Sequence, residues 1–121
     1  MLSSARTISL DELQAEIEMR LVNVQLQPPA WQLFLLSAYQ NYPPPDLSAQ
    51  EVADEIRHVS ACTTAMTAVV ARALRKALKV YHPDKNLAAV RGERWAEDAG
   101  RITRMATSLL DHYRRRVQPL V

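Results

Sequence analysis

Glycine is nearly absent from this chain, with two residues in 121. Few β-branched runs accompany it, so a hairpin-rich sheet architecture, which needs both glycine turns and β-branched strands, is disfavoured. The scarcity also excludes a glycine-rich loop that would cradle phosphates. One cysteine, Cys62, excludes a disulfide framework and a cysteine-based zinc site. It reads as a small buried apolar residue, with a reactive role as the alternative. No apolar run reaches transmembrane length, so no membrane span is expected. There is no nucleophile elbow, no zinc-binding helix motif and no internal repeat, and His58, His82 and His112 lie too far apart to suggest a ligand set. No cofactor, metal or catalytic group is expected.

What is present is 48% hydrophobic residues in a length suited to one domain. The fold class that follows is all-α. Net charge is only +2, but its distribution is uneven. Residues 1–60 hold three basic and eight acidic side chains, whereas residues 61–121 hold twelve basic and five acidic. That polarity points to an acidic partner surface for the second half.

The first eight residues lack acids and carry one arginine and several hydroxyls, features of an organelle presequence, yet Asp11 and Glu12 follow at once. A disordered N-terminus over residues 1–8 is the preferred expectation, with a cytoplasmic or nuclear location; a mitochondrial one is the alternative. Ser9-Leu-Asp-Glu12 is a capping box opening a helix with Leu10, Leu13, Ile17, Leu21 and Val24 on one side. That helix should end before Pro28-Pro29. Pro29 is placed in the first turn of the next helix, which carries Trp31, Phe34, Leu35, Ala38, Tyr39 and Tyr42 and is expected to be the most buried. An exposed client-binding groove there is the alternative. Pro43-Pro44-Pro45 reads as a stiff extended spacer. Ser48-Ala-Gln-Glu51 is a second capping box, with Leu47 as a hydrophobic staple, and its helix shows Val52, Ile56 and Val59. The hydroxyl-rich run from Ser60 to Thr64 is expected to break the chain before the next helix, although one continuous helix to Tyr81 is open.

The stretch Ala73 to Asn86 organises the rest. Apolar residues at Met66, Val69, Val70, Ala73, Leu74, Ala77, Leu78 and Tyr81 form one helical face, over a helix expected at 64–81. Arg72, Arg75, Lys76 and Lys79 share that spacing on the opposite side, making a cationic ridge. Pro83 stops the helix, because the residue before a proline is pushed out of helical geometry. His82, Pro83 and Asp84 are thereby presented at a helix end, followed by Lys85 and Asn86. Gly92 then precedes a helix, expected over 93–116, with Trp95, Ala99, Ile102, Ala106, Leu109 and Tyr113 on one stripe. Arg114, Arg115 and Arg116 at its end complement the helix dipole, and Pro119 closes the chain.

A basic helix ending in Tyr81-His82-Pro83-Asp84-Lys85-Asn86, followed by a long helix with this spacing, resembles helix II, the loop and helix III of a J-domain. J-domains are the Hsp70-stimulating modules of the DnaJ/Hsp40 co-chaperones, and His-Pro-Asp is their signature. The resemblance covers roughly residues 64 to 113. It implies an antiparallel pair of helices joined by the His-Pro-Asp loop, with additional N-terminal helices packed on it. The domain layout it implies is a helical extension over 9–62, the J-domain-like helices over 63–117 and a tail at 118–121. An alanine stands where the family's first helix III aromatic would be, and Trp95, one turn earlier, is expected to fill that space.

The resemblance further implies a protein that is not an enzyme. It would bind an Hsp70 in its ATP state and bias it toward hydrolysis. The ridge of Arg72, Arg75, Lys76 and Lys79 would meet an acidic surface of that partner, with Lys85 and Asn86 beside it. Asp84 would pair with an arginine of the Hsp70, while His82 and Pro83 fix the loop that presents it. Helix I has two candidate counterparts, Trp31–Tyr42 and Glu51–Val59. The family's Gln-Lys-Arg-rich helix IV, glycine/phenylalanine linker and cysteine repeat are missing, as in a stand-alone J-type module or one domain of a longer chain. The alternatives are a helical scaffold with a degenerate motif, a nucleic-acid-binding module using the basic second half, and an enzyme using His82 and Asp84.

Overall fold

A computed structural model describes residues 8–63 and 67–117, and every regular element in them is helical: α1 (Leu10–Val22), α2 (Ala30–Asn41), α3 (Ala49–Ala61), α4 (Thr67–Tyr81), α5 (Ala88–Arg91) and α6 (Glu93–Val117), with a 3-10 turn at Pro83–Lys85. The expectations for residues 1–7, for Thr64 and Met66, and for Pro119 lie outside the described residues.

Both capping boxes form. Glu12 N–H donates to Ser9 Oγ and Ser9 N–H to Glu12 Oε1, each at 3.1 Å. Ser48 and Glu51 repeat the exchange at 3.1 and 2.8 Å. Each box satisfies donors that the first helical turn leaves without intrahelical partners. α1 ends at Val22, so Val24 falls outside the helix and is exposed rather than part of the stripe. Pro29 is the N-cap of α2 rather than a first-turn residue, and it offers no capping side chain. One of the donors left over is met from across the fold, where Trp31 N–H points to Tyr113 Oη of α6 at 3.4 Å. The proline run is not a straight spacer: Leu47 N–H donates to Pro44 O, closing a turn, and Pro44 is buried. Cys62 and Thr63 are non-helical, so α3 and α4 are separate helices. Cys62 is half-buried, since it sits at the end of α3 rather than inside a helix face.

One hydrophobic core receives side chains from both sides of residue 62. α2 is central, packing on α1, α3, α4 and α6, and Trp31, Phe34, Leu35, Ala38 and Tyr39 are all buried there rather than forming an exposed groove. The most extensive helix contact is that of α4 on α6. Leu74, Ile102 and Leu109 are fully buried, each worth about 1.5–3 kcal/mol of transfer free energy. The buried face of α4 is wider than its simplest stripe. Ala71 and Val80 are buried too, because α2 and α6 both approach. Leu78, Val69 and Ala73 are only half-buried. Val69 and Ala73 border a cleft of about 150 Å³ between α3 and α4, floored by Trp31 and Val59.

The uneven charge is partly answered within the molecule. Arg101 meets Asp11 at 2.7 Å, Arg91 meets Asp46 at 2.8 Å and Lys76 meets Glu55 at 2.7 Å. Each pair joins a base from the second half to an acid from the first, so some of the expected acidic partner is the protein's own N-terminal half.

Candidate functional site: the turn after α4

α4 stops at Tyr81, and His82 takes φ −54° and ψ 138°, the extended backbone demanded of a residue before proline. Pro83–Lys85 form a single 3-10 turn, with Lys85 N–H donating to His82 O and Asn86 N–H to Pro83 O. The turn is held away from the core. His82, Pro83, Asp84 and Lys85 are all exposed, and the Asp84 side chain is 88% accessible. Asp84 N–H donates to His82 Nδ1 at 3.1 Å. Nδ1 accepts such a bond only while it carries no proton. The Asp84 carboxylate is 3.8 Å from the same nitrogen, too far for a hydrogen bond, and remains free to take a donor from outside.

Ordinarily the last carbonyls of a helix lack partners. Here Thr103 Oγ1 of α6 lies 3.0 Å from Tyr81 O and 2.8 Å from Ala99 O, so its one proton serves either. Asn86 covers Val80 O and His82 O. The sequence pattern groups it with the partner-facing residues, but it is 2% exposed and its amide is engaged internally, so it is a support of the turn rather than a contact surface. Tyr81 is buried between the rings of Tyr39 and Trp95, at centroid distances of 6.0 and 6.3 Å, and its hydroxyl donates to Tyr42 O at 2.7 Å. Burial raises the phenol pKa of Tyr81 well above the usual tyrosine range, with the neighbouring Tyr39 adding to it.

The ridge residues Arg72, Arg75, Lys76 and Lys79 are all exposed on one side of α4. They are not equivalent. Lys76 is bonded to the nearly buried Glu55 of α3, whereas Arg72, Arg75, Lys79 and Lys85 have no ion-pair partner among the described residues. Leu78, Lys79, His82, Asp84 and Lys85 line a shallow depression of about 320 Å³, which is why Leu78 is left half-exposed. The surface therefore offers an apolar patch, unpaired cations and a projecting carboxylate in one continuous strip. Among the described residues, no group of three His, Cys, Asp or Glu side chains is placed to hold a metal ion, and no helix is long and apolar enough to cross a membrane.

The sequence pattern groups His82, Pro83, Asp84, Lys85 and the ridge, and the structure places all of them exposed along α4 and the turn that follows it. The pattern missed Thr103 and Glu55, whose roles depend on the packing of α6 and α3 on α4. The local signals were weak: Thr103 is one of three serine or threonine side chains on α6, with Thr107 and Ser108, and Glu55 is a glutamate between Val52 and Val59. α5 was also missed; it ends at Gly92, whose φ of +95° is open to glycine and strained for other residues.

Neither a protein-family model, nor a curated protein, nor a solved structure matches this chain.

Proposed function

We propose that this chain is a J-domain-type co-chaperone that binds an Hsp70 through the His82-Pro83-Asp84 turn and the basic face of α4, and stimulates its ATP hydrolysis. In this reading α4 is helix II, α6 is helix III, and α1 to α3 are an N-terminal addition sharing their core. The chain performs no chemistry of its own; the bond broken is the partner's.

The observation that carries the reading is the exposure of His82, Pro83 and Asp84 on a turn whose backbone needs are already met from inside. Such a turn has free side chains and a fixed shape, the combination a recognising surface needs. Asp84 supplies a carboxylate for an arginine on the Hsp70, a charge-assisted and geometrically specific contact. His82 holds the Asp84 N–H, and Pro83 fixes the backbone between them. Arg72, Arg75, Lys79 and Lys85 attract an acidic surface and orient the encounter, with Leu78 as the apolar centre of the strip.

The test is single-turnover ATP hydrolysis by a panel of Hsp70s, with and without this protein. Acceleration of at least one Hsp70, lost in a His82→Gln variant, is the expected result. Absence of acceleration across the panel overturns the reading.

A further inference from the structure

The exposed turn has no buried apolar side chain of its own to anchor it, so its shape depends on hydrogen bonds. Asn86 concentrates them. Its Nδ2 donates to Val80 O at 3.1 Å and to His82 O at 2.8 Å, on the two sides of the point where α4 stops. Its Oδ1 accepts from Nε1 of Trp95, in the first turn of α6, at 2.7 Å. An asparagine amide fits a cavity in either of two orientations, and only its partners decide between them. Two carbonyls accept only, and an indole N–H donates only. Together they allow one orientation, with the NH₂ on the carbonyls and the oxygen on the indole.

We infer that Trp95 and Asn86 are positioning residues that set the conformation of the His82–Asp84 turn: the Trp95 indole N–H orients the Asn86 amide, and that amide fastens the turn to the end of α4. The shape of the exposed turn is thereby made dependent on the docking of the first turn of α6, two strands of chain that α5 separates. The consequence for activity rests on the co-chaperone reading; the consequence for the turn's shape does not.

The experiment uses the full chain and two variants. Trp95→Phe keeps a ring against Tyr81 and removes the donor. Asn86→Asp keeps the size and the acceptor, and turns lone pairs toward two carbonyls. Backbone ¹⁵N order parameters over residues 82–86 report the turn, and those of α4 and α6 report the scaffold. In both variants the turn should fall from the rigid range of about 0.85 to below about 0.6 while the helices stay rigid. In single-turnover assays with a responsive Hsp70, the plateau stimulation should drop roughly 3- to 10-fold, the scale of one lost orienting hydrogen bond. The half-saturating concentration, set by the ridge, should move less than about twofold.

Unchanged order parameters in both variants overturn the inference. A mobile turn with an unaltered plateau upholds the shape-setting role and overturns its consequence for activity. Loss of helical structure in both variants overturns the inference in favour of a purely structural role. A mobile turn in the variants, together with no Hsp70 response from the parent protein, would uphold the shape-setting role and overturn the co-chaperone reading instead.

Discussion

Lys76 Nζ lies 2.7 Å from Oε1 of Glu55, joining the middle of the cationic ridge to α3. The two partners are unequally placed. The Glu55 side chain is 10% exposed and the Lys76 side chain 52%. Glu55 also lies close enough to Tyr39 to reinforce the rise in that phenol's pKa, which burial itself drives. One acid of the N-terminal half thus neutralises a charge on the very face proposed to meet an acidic partner.

Replacing Glu55 by Gln should release that charge. Hsp70 association should quicken and its salt dependence steepen, as expected when one more cation contributes to steering. The cost in stability should be about 1 kcal/mol, because Lys76 is half-exposed and regains water. Stopped-flow association at several ionic strengths reads the effect. An unchanged salt slope would show that Lys76 lies off the docking face.

Leu74→Ala and Ile102→Ala should each lower stability by about 2–5 kcal/mol in chemical denaturation, the range for emptying a fully buried aliphatic site. Leu78→Ala should cost less than about 2 kcal/mol, because its side chain borders the open depression beside the turn. A Leu78 cost equal to that of Leu74 would mean that the depression is closed in solution.

His82→Gln and Asp84→Asn should abolish Hsp70 stimulation while changing stability by less than about 1 kcal/mol, since neither side chain is packed. Circular-dichroism melts and single-turnover hydrolysis, run on the same preparations, separate the two effects. A strongly destabilised His82→Gln protein would contradict the exposed placement of the imidazole.

Charge reversal is best done at Arg75 and Lys79, which have no ion-pair partner among the described residues; reversal at Lys76 would set a second carboxylate against Glu55. Arg75→Glu with Lys79→Glu should weaken Hsp70 binding and flatten its salt dependence without unfolding the chain. A nucleic-acid-binding module makes a different forecast, a gel shift whose affinity falls steeply with salt. The aromatic side chains of Trp31, Tyr39 and Tyr81 are buried and unavailable to stack on bases. A clear shift at physiological salt, with no Hsp70 response, would replace the co-chaperone reading.

Alkaline pH should unfold the protein through its buried phenols. Burial raises the pKa of Tyr39 and of Tyr81 above the ordinary value of 10.0, so the folded state holds those protons more tightly than the unfolded chain. The stability they contribute is complete below pH 10 and is lost as pH climbs toward the folded-state values. Tyrosinate absorbance and helix content should therefore change together above pH 10. Tyr39→Phe removes a hydroxyl that is buried without a hydrogen-bond partner among the described residues and should shift this transition upward.

The sequence alone determined the five longer helices and the turn that interrupts them, though not the short α5. Capping boxes, prolines and three-and-four spacing act over one or two turns of chain, so Ser9, Ser48 and Pro83 mark their boundaries wherever the helices pack. The same local rules put Arg72, Arg75 and Lys79 on one face and exposed His82 and Asp84 at its end. Tertiary structure decided what no window of neighbouring residues contains. Asn86 reads as one more polar residue after the motif, and only the approach of α6 makes it the buried hub between Trp95 and the end of α4. Lys76 is spaced like its fellow cations, and only α3 gives it Glu55, 21 residues away. Tyr113 caps α2 from 82 residues away. Hydrogen bonds and ion pairs between such distant groups depend on which helix faces touch, and that is fixed by burying the whole apolar surface at once.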